Sequence, residues 1–298
     1  MADSSGQALI RGIDIDKLAK GFADEDIILK RYVVGSKTKA REMRWYQKTS
    51  GFLDTVDTTG IDTSQIITAA HALPSVIEQS WTRQTSYVKK FFVESPMFSI
   101  EDLKDTDPDI MATNVRDIVR AVQRRVEKRI FEVLFNALPE GNPLTDTVTV
   151  QTTAATDGWD QTATCNPILD ILNGKQLIRA QGYNPEGSML GMNSIEHKYL
   201  ISYLIDVKGS SIPSYSSEKV KTGVVMEILG CNVVVSEAFT SAWAYQWVPS
   251  RAATWKQFMP ITSVVIDEPL IGKKIRVAEE GECILTDPNA VHVISGTI

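Results

Sequence analysis

One segment limits the possible folds more than any other. Between Asp107 and Leu138, apolar residues fall at Met111, Val115, Ile118, Val119, Val122, Val126, Ile130, Val133, Phe135 and Leu138, mostly in steps of three and four. That spacing gives a helix one apolar face. Asp107 is a suitable N-cap, Pro108 takes the first helical position and Asp109 suits the positive helix end. Pro139 and Gly141 stop the pattern. The spacing therefore predicts a spine helix over 108–138. About thirty residues at ~1.5 Å each make a rod of roughly 45 Å. Burying its ten apolar side chains at ~1.5–3 kcal/mol each contributes a gross ~15–30 kcal/mol, before the entropy of ordering them. Arg116, Arg120, Arg124, Arg125, Lys128 and Arg129 fill the other faces. From the sequence they read as a solvated face in preference to a phosphate-binding stripe.

The segments ahead of the rod have no core of their own. Residues 1–60 read as an extended arm with short helical pieces, punctuated by Gly12, Gly21, Gly35, Gly51 and Gly60. Residues 61–95 are rich in strand-forming types and lack glycine, and they predict two long strands in a projecting hairpin. The second strand runs into a buried one at Phe91–Val93. Such a hairpin is marginal alone and needs a partner surface.

Behind the rod the pattern is mixed. Residues 142–165 predict short strands and loop. Asn166 and Pro167 start a second helix that ends at Gly182, with Pro185 beyond. A strand over 188–192 follows, then a third helix from Ile195 to about Ile205, capped by Asn193 or Ser194. Residues 207–222 read as a loop, and 224–228 and 233–235 as strands around Gly230. Four strands are expected near the end: 263–266, 274–277, 283–285 and 290–294, with Pro288 in a turn. The fold class is α+β.

A search for chemistry returns little. The chain has 298 residues, 43% hydrophobic and 23% charged, with net charge -6. That is an ordinary globular composition, and the acidic balance argues against a protein that wraps nucleic acid through a basic surface. Met1 to Gln7 has no basic cluster ahead of an apolar run, so no secretory signal is expected, and no apolar run is long enough for a membrane helix. Cys165, Cys231 and Cys283 form no CxxC pair and read as reduced, packed thiols. His71, His197 and His292 lack metal-ligand spacing and read as structural. Glu279, Glu280 and Glu282 beside Gly281 read as a solvated turn. Asp14 and Asp16 could be imagined as an acid–base pair, and so could Asp107 and Asp109, but helix capping explains the second pair better. Lys89 and Lys90 read as a solvated strand end. No catalytic, cofactor-binding or metal-ligating residue is assigned, and the chain is expected not to be an enzyme.

The order of pieces carries more information than any motif. It runs arm, hairpin, Phe91-Phe-Val-Glu-Ser-Pro-Met-Phe-Ser-Ile-Glu-Asp-Leu103, spine helix, helical middle and a return of strands, ending on Ile275–Ile294 with its Pro288-Asn-Ala-Val. This layout resembles the major capsid proteins of tailed bacteriophages and tailed archaeal viruses, with the Hong Kong ninety-seven-type fold. The resemblance covers nearly the whole chain and rests on layout, since the family has no invariant catalytic motif. It implies an N-terminal arm over 1–58 and an extended loop over 59–92 that reaches over a neighbour. It implies a peripheral domain from 93–144 and 241–298, and an axial domain over 145–240. The loop 207–222 would then point to the five- or six-fold centre of a capsomer.

The resemblance also implies a function and partners. The chain would assemble with itself into pentamers and hexamers of an icosahedral shell enclosing double-stranded DNA, bound without sequence specificity. Scaffolding, portal and decoration proteins are the other implied partners. The implied location is the virion capsid, after synthesis and assembly in the host cytoplasm, with no membrane contact. The arm starts near residue 1, so any scaffolding is expected as a separate protein or absent. Lys89, Lys90 and Asn289 are of the right types for the Lys–Asn cross-linking of some members, but no catalytic Glu can be matched to them. Two other readings stand beside this one: an encapsulin-like nanocompartment shell and an uncharacterised α+β enzyme.

Overall fold

The computed structural model describes residues 28–50, 80–99, 101, 110–135, 150–161, 163–206 and 227–298. A 3-10 turn at Leu29–Arg31 leads into β1 (Val34–Lys37) and β2 (Glu42–Ser50). After it come β3 (Ser80–Tyr87), β4 (Lys89–Glu94), β5 (Phe98–Ser99) and the spine helix α1 (Ile110–Phe135). The middle of the chain supplies β6 (Gln151–Ala154), α2 (Pro167–Ala180), β7 (Met189–Met192), α3 (Ser194–Asp206), β8 (Glu227–Ile228) and β9 (Cys231–Val235). The last part gives β10 (Trp243–Trp247), β11 (Ala253–Glu268), β12 (Gly272–Leu285) and β13 (Val291–Ser295).

Two larger sheets organise these elements. The first runs β1-β11-β12-β4, with β5 also on β12. The second runs β6-β13-β10-β7-β9-β8. Helix α1 lies on the first sheet, where Val122, Val126, Ile130 and Leu134 join Trp255, Ile275, Val277 and Cys283 in one core. The second sheet is covered on both faces, and period-2 alternation divides its strands between two cores. Tyr245, Trp247, Val291 and Val293 belong to the core under α1, whereas Ala244 and Ile294 belong to a second core. The second core is built with Trp159, Ile171, Leu190, Met192 and Leu200.

Local signals explain several boundaries. Asn166 caps α2 by accepting from the Leu169 N–H at 3.3 Å, with Pro167 at the first position, as the sequence predicts. Asn193 accepts from the Ile195 N–H at 3.2 Å at the start of α3. The β8–β9 hairpin turns through Leu229 and Gly230 at φ 53° and 73°, the two positive values that a two-residue turn matched to strand twist requires. The expected caps of the spine helix at Asp107 and Pro108, and the loop 207–222, lie outside the described residues.

Three expectations need correction. The described partner of Ser80–Tyr87 is Glu42–Ser50, running antiparallel from Glu42↔Tyr87 to Ser50↔Ser80. A segment expected within an arm of short helical pieces is therefore a nine-residue strand. Second, 274–277 and 283–285 are parts of one fourteen-residue strand, β12, and 263–266 is part of a sixteen-residue strand, β11. Third, only Phe91 of the expected buried run is buried; Phe92 and Val93 are 46% and 36% exposed. The burial pattern of the strand does not alternate, and Phe91 is its one buried residue.

Candidate functional site: an ion-paired seam and an exposed assembly surface

The run expected to be a solvated turn is buried inside a strand. Glu279, Glu280 and Glu282 sit inside β12 and are 0%, 7% and 0% exposed. Their neutralising partners come from three distant segments. Lys30 Nζ lies 2.5 Å from Glu279 Oε1 and also 5.5 Å over the Trp255 ring. Arg41 and Lys90 approach Glu280 at 3.5 and 3.9 Å. Arg129, on α1, donates from Nε to Glu282 Oε1 at 2.8 Å and reaches Glu132 at 3.6 Å. A buried carboxylate without such partners would be prohibitive. The strand can carry these three because the fold brings a cation to each.

The same seam fixes the incoming chain. The backbone N–H groups of Leu29 and Lys30 each donate to the Glu127 carboxylate at 2.8 Å. Glu127 is on the helix, so α1 caps the 3-10 turn of another segment with a side chain. Burial pushes the Glu127 carboxyl above its ordinary range, against the pull of those N–H groups. Burial likewise raises Glu282, with Arg129 opposing. The helix charges are thus divided: Glu127, Arg129 and Glu132 are buried, while Arg116, Arg124, Arg125 and Lys128 are exposed. The expectation of a uniformly solvated basic face fails at Arg129, whose partner lies 153 residues away.

The other residues singled out from the sequence take the following places where they are described. Cys165, Cys231 and Cys283 are free and buried. Burial raises the Cys283 thiol strongly, which makes it a poor nucleophile. His292 is fully buried, contacts Thr153 Oγ1 at 3.0 Å, and is pushed by burial down to about 4. His197 is half-buried on α3 and is also lowered by burial. Lys89 and Lys90 are exposed on β4, Lys90 standing 5.0 Å over the Phe92 ring. Asn289 lies in the 3-10 turn Pro288–Ala290, its N–H donating to Asp287 Oδ1 at 3.1 Å. His71, Asp14, Asp16, Asp107 and Asp109 lie outside the described residues. A cleft of about 410 Å³ opens between β2 and the ends of β11 and β12, lined by Lys37, Glu42, Arg44, Trp45 and Lys256 among others. Ion pairing between Arg44 and Glu42 at 2.6 Å already occupies part of it.

Large apolar side chains stand exposed on the projecting strands instead of lining a pocket. On the β2–β3 ribbon Tyr46, Trp81 and Tyr87 are 62%, 55% and 63% exposed. At the β11–β12 hairpin Leu270 and Ile271 are 95% and 58% exposed, with Leu270 at φ 64°. Behind this tip, the hairpin is braced by ion pairs of Lys274 with Glu268 at 3.3 Å and with Glu94 at 3.1 Å. These side chains are the large apolar groups of the ribbon and the hairpin tip that the chain itself leaves uncovered.

No protein-family model and no curated protein matches the sequence. Solved structures do match in shape. The chain is similar to a chain of mycobacterium phage Che8 at 13% identity, with TM-score 0.67 over 97% of this chain and 98% of that one. It is also similar to the mature capsid of bacteriophage PhiM1 at 11% identity, with TM-score 0.66 over 95% and 89%. The fold is that of the Hong Kong ninety-seven-type capsid proteins. Within the same fold, the virus-like particle of Pyrococcus furiosus matches at 10% identity and TM-score 0.54, over 90% of this chain and 91% of that one. In this capsid fold, α1 is the spine helix and the long β11–β12 hairpin runs beside it. The sequence reading found the helix and missed both the seam beneath it and strand β2. The alternation of Met43 and Trp45 with Glu42 and Arg44 was the available signal for β2.

Proposed function

We propose that this chain is a major capsid protein that self-assembles into the icosahedral shell of a tailed virus around its double-stranded DNA. The likeness to capsid structures across almost the entire length carries the reading, because it includes the projecting elements as well as the core. The exposed aromatic ribbon and the apolar hairpin tip support it, since each needs a second copy to cover it. On this reading residues 1–58 are the arm, 59–92 the extended loop, 93–144 with 241–298 the peripheral domain, and 145–240 the axial domain. The second sheet ties the last two together, as β10 and β13 pair with β7 and β6. The chain then has no catalytic, cofactor or metal site, and its location is the virion capsid after assembly in the host cytoplasm.

An encapsulin-like nanocompartment shell is the second reading, kept beside the match to the virus-like particle of Pyrococcus furiosus. The TM-score of 0.54 there, against 0.66 for the PhiM1 capsid, favours the viral one. Size-exclusion chromatography with negative-stain microscopy of the purified chain tests the proposal. Pentamers, hexamers or hollow shells support it. A monomer that persists under crowding and high salt counts against it. A neighbouring terminase and portal gene, in place of a cargo-enzyme gene, separates virus from nanocompartment.

A further inference from the structure

We propose that the outward face of the spine helix α1 is the surface that meets the phosphate backbone of duplex nucleic acid. The inference rests on the capsid reading and narrows it to one helix face. Between residues 116 and 128 the chain carries five basic and two acidic residues. Folding separates them. Glu127 is buried and holds the Leu29 and Lys30 N–H groups, so its charge is spent inside. Arg116, Arg124, Arg125 and Lys128 are exposed, with Asp117 the one exposed acid of that span. Arg125 shares its charge with Glu132 at 3.6 Å yet remains 58% exposed. A chain of net charge -6 thus presents a basic strip along the solvent side of the helix, spread over about half its circumference, with Asp117 within it.

The geometry suits a duplex. Twelve helical steps span ~18 Å, and a duplex presents one negative charge per ~1.7 Å of axis, so the strip faces roughly ten phosphates. Its exposed positions contain no aromatic or amide side chain, so apart from arginine and lysine, which meet phosphate and guanine alike, it carries no base-reading group. Ala121 is its one exposed apolar residue. An acidic protein segment would need buried anchors to be held, and a backbone of phosphates needs none. The predicted contact is therefore sequence-blind, salt-sensitive and individually weak.

The test compares the wild-type full chain with two triple variants in a salt titration of labelled mixed-sequence duplex, read by fluorescence anisotropy. One variant is Arg116→Gln/Arg124→Gln/Lys128→Gln. The other, Lys39→Gln/Lys198→Gln/Arg251→Gln, removes the same charge from exposed positions off the helix. Each phosphate contact contributes about 0.9 to the slope of log affinity against log salt, so the helix variant should be shallower by about 2.7 and bind about tenfold or more weakly at low salt. The control variant should track the wild type. Duplex protected from nuclease inside shells formed in its presence gives the same comparison for the assembled protein. Equal affinity and slope in the helix variant, or an equal loss in the control, overturns the inference. So does polyglutamate that binds more tightly than duplex at equal salt, which assigns the face to a protein partner. Microscopy of each sample reads shell formation separately: shells without a helix-specific duplex effect sink this inference alone, and no shells sinks the capsid reading beneath it.

Discussion

Arg129 and Glu282 meet at 2.8 Å with side chains 7% and 0% exposed, and they pin the spine helix to β12. An apolar pair of similar volume would do as well energetically, since desolvating two charges costs about what their attraction returns. The pair instead defines one axial and rotational setting of a helix that could otherwise slide on an apolar face. Arg129→Met alone should therefore cost ~3–5 kcal/mol in urea unfolding, because it strands a buried carboxylate. Arg129→Met with Glu282→Leu should recover most of that loss. A double variant no more stable than the single one would contradict the account.

Glu127 ties the N-terminal segment to the helix through two backbone N–H groups. Glu127→Ala leaves both without an acceptor, at ~1–3 kcal/mol for a buried donor. The expected readout is local: limited proteolysis should cut between Ile28 and Arg41 faster than in the wild type. Glu127→Gln keeps one acceptor oxygen and should fall between the two.

His292 gives the chain an acid-side weakness. Its folded pKa is about 4, against an ordinary 6.5, because burial disfavours the charged ring. The unfolded chain then binds more protons between these values, so stability is fully present above 6.5 and is lost as pH falls toward 4. At about 1.36 kcal/mol per pH unit the loss is about 3 kcal/mol. Glu127 and Glu282 act in the opposite sense: their raised carboxyls favour the folded state most below 4.5, and that gain is lost as pH rises through the raised values. The clean measurement is a difference. Thermal midpoints from pH 7 to pH 4 should fall less steeply in His292→Gln than in the wild type, and parallel curves would contradict this.

Gly174 sits in mid-helix where glycine costs ~1 kcal/mol against alanine. The structure needs it nonetheless. A Cβ there would lie 2.6 Å from His292 Nδ1 and close against Gln246 Oε1, both in the fully buried face that α2 covers. Gly174→Ala should therefore lower the melting temperature although it raises helix propensity. A stabilised variant would show that α2 stands farther from β10 and β13.

What the sequence disclosed was local, and what it concealed was long-range. The Asn166–Pro167 cap and the apolar period of the spine helix depend on neighbours within a few turns, and both were legible. The burial of Glu279 depends on Lys30, 249 residues away, so a run of carboxylates beside Gly281 looked like solvent-facing turn. The pairing of Glu42–Ser50 with Ser80–Tyr87 likewise spans residues that no local period connects. Strand β12 looked like two strands because Gly281 interrupts it, yet its missing side chain is what lets the Trp255 ring lie close, 2.6 Å from where a Cβ would be. The assembly surface was invisible for a related reason. Leu270 and Ile271 are ordinary strand-type residues until the fold leaves them at a tip.

The most direct test of the central claim is cryo-electron microscopy of the particle formed by the purified full-length chain. The account predicts a closed shell of pentamers and hexamers. In each subunit Ile110–Phe135 lies on Gly272–Leu285, and the Glu42–Ser50/Ser80–Tyr87 ribbon and the Leu270–Ile271 tip are covered by neighbouring copies. A discrete small oligomer or monomer, with those aromatic and aliphatic side chains still in solvent, would contradict it.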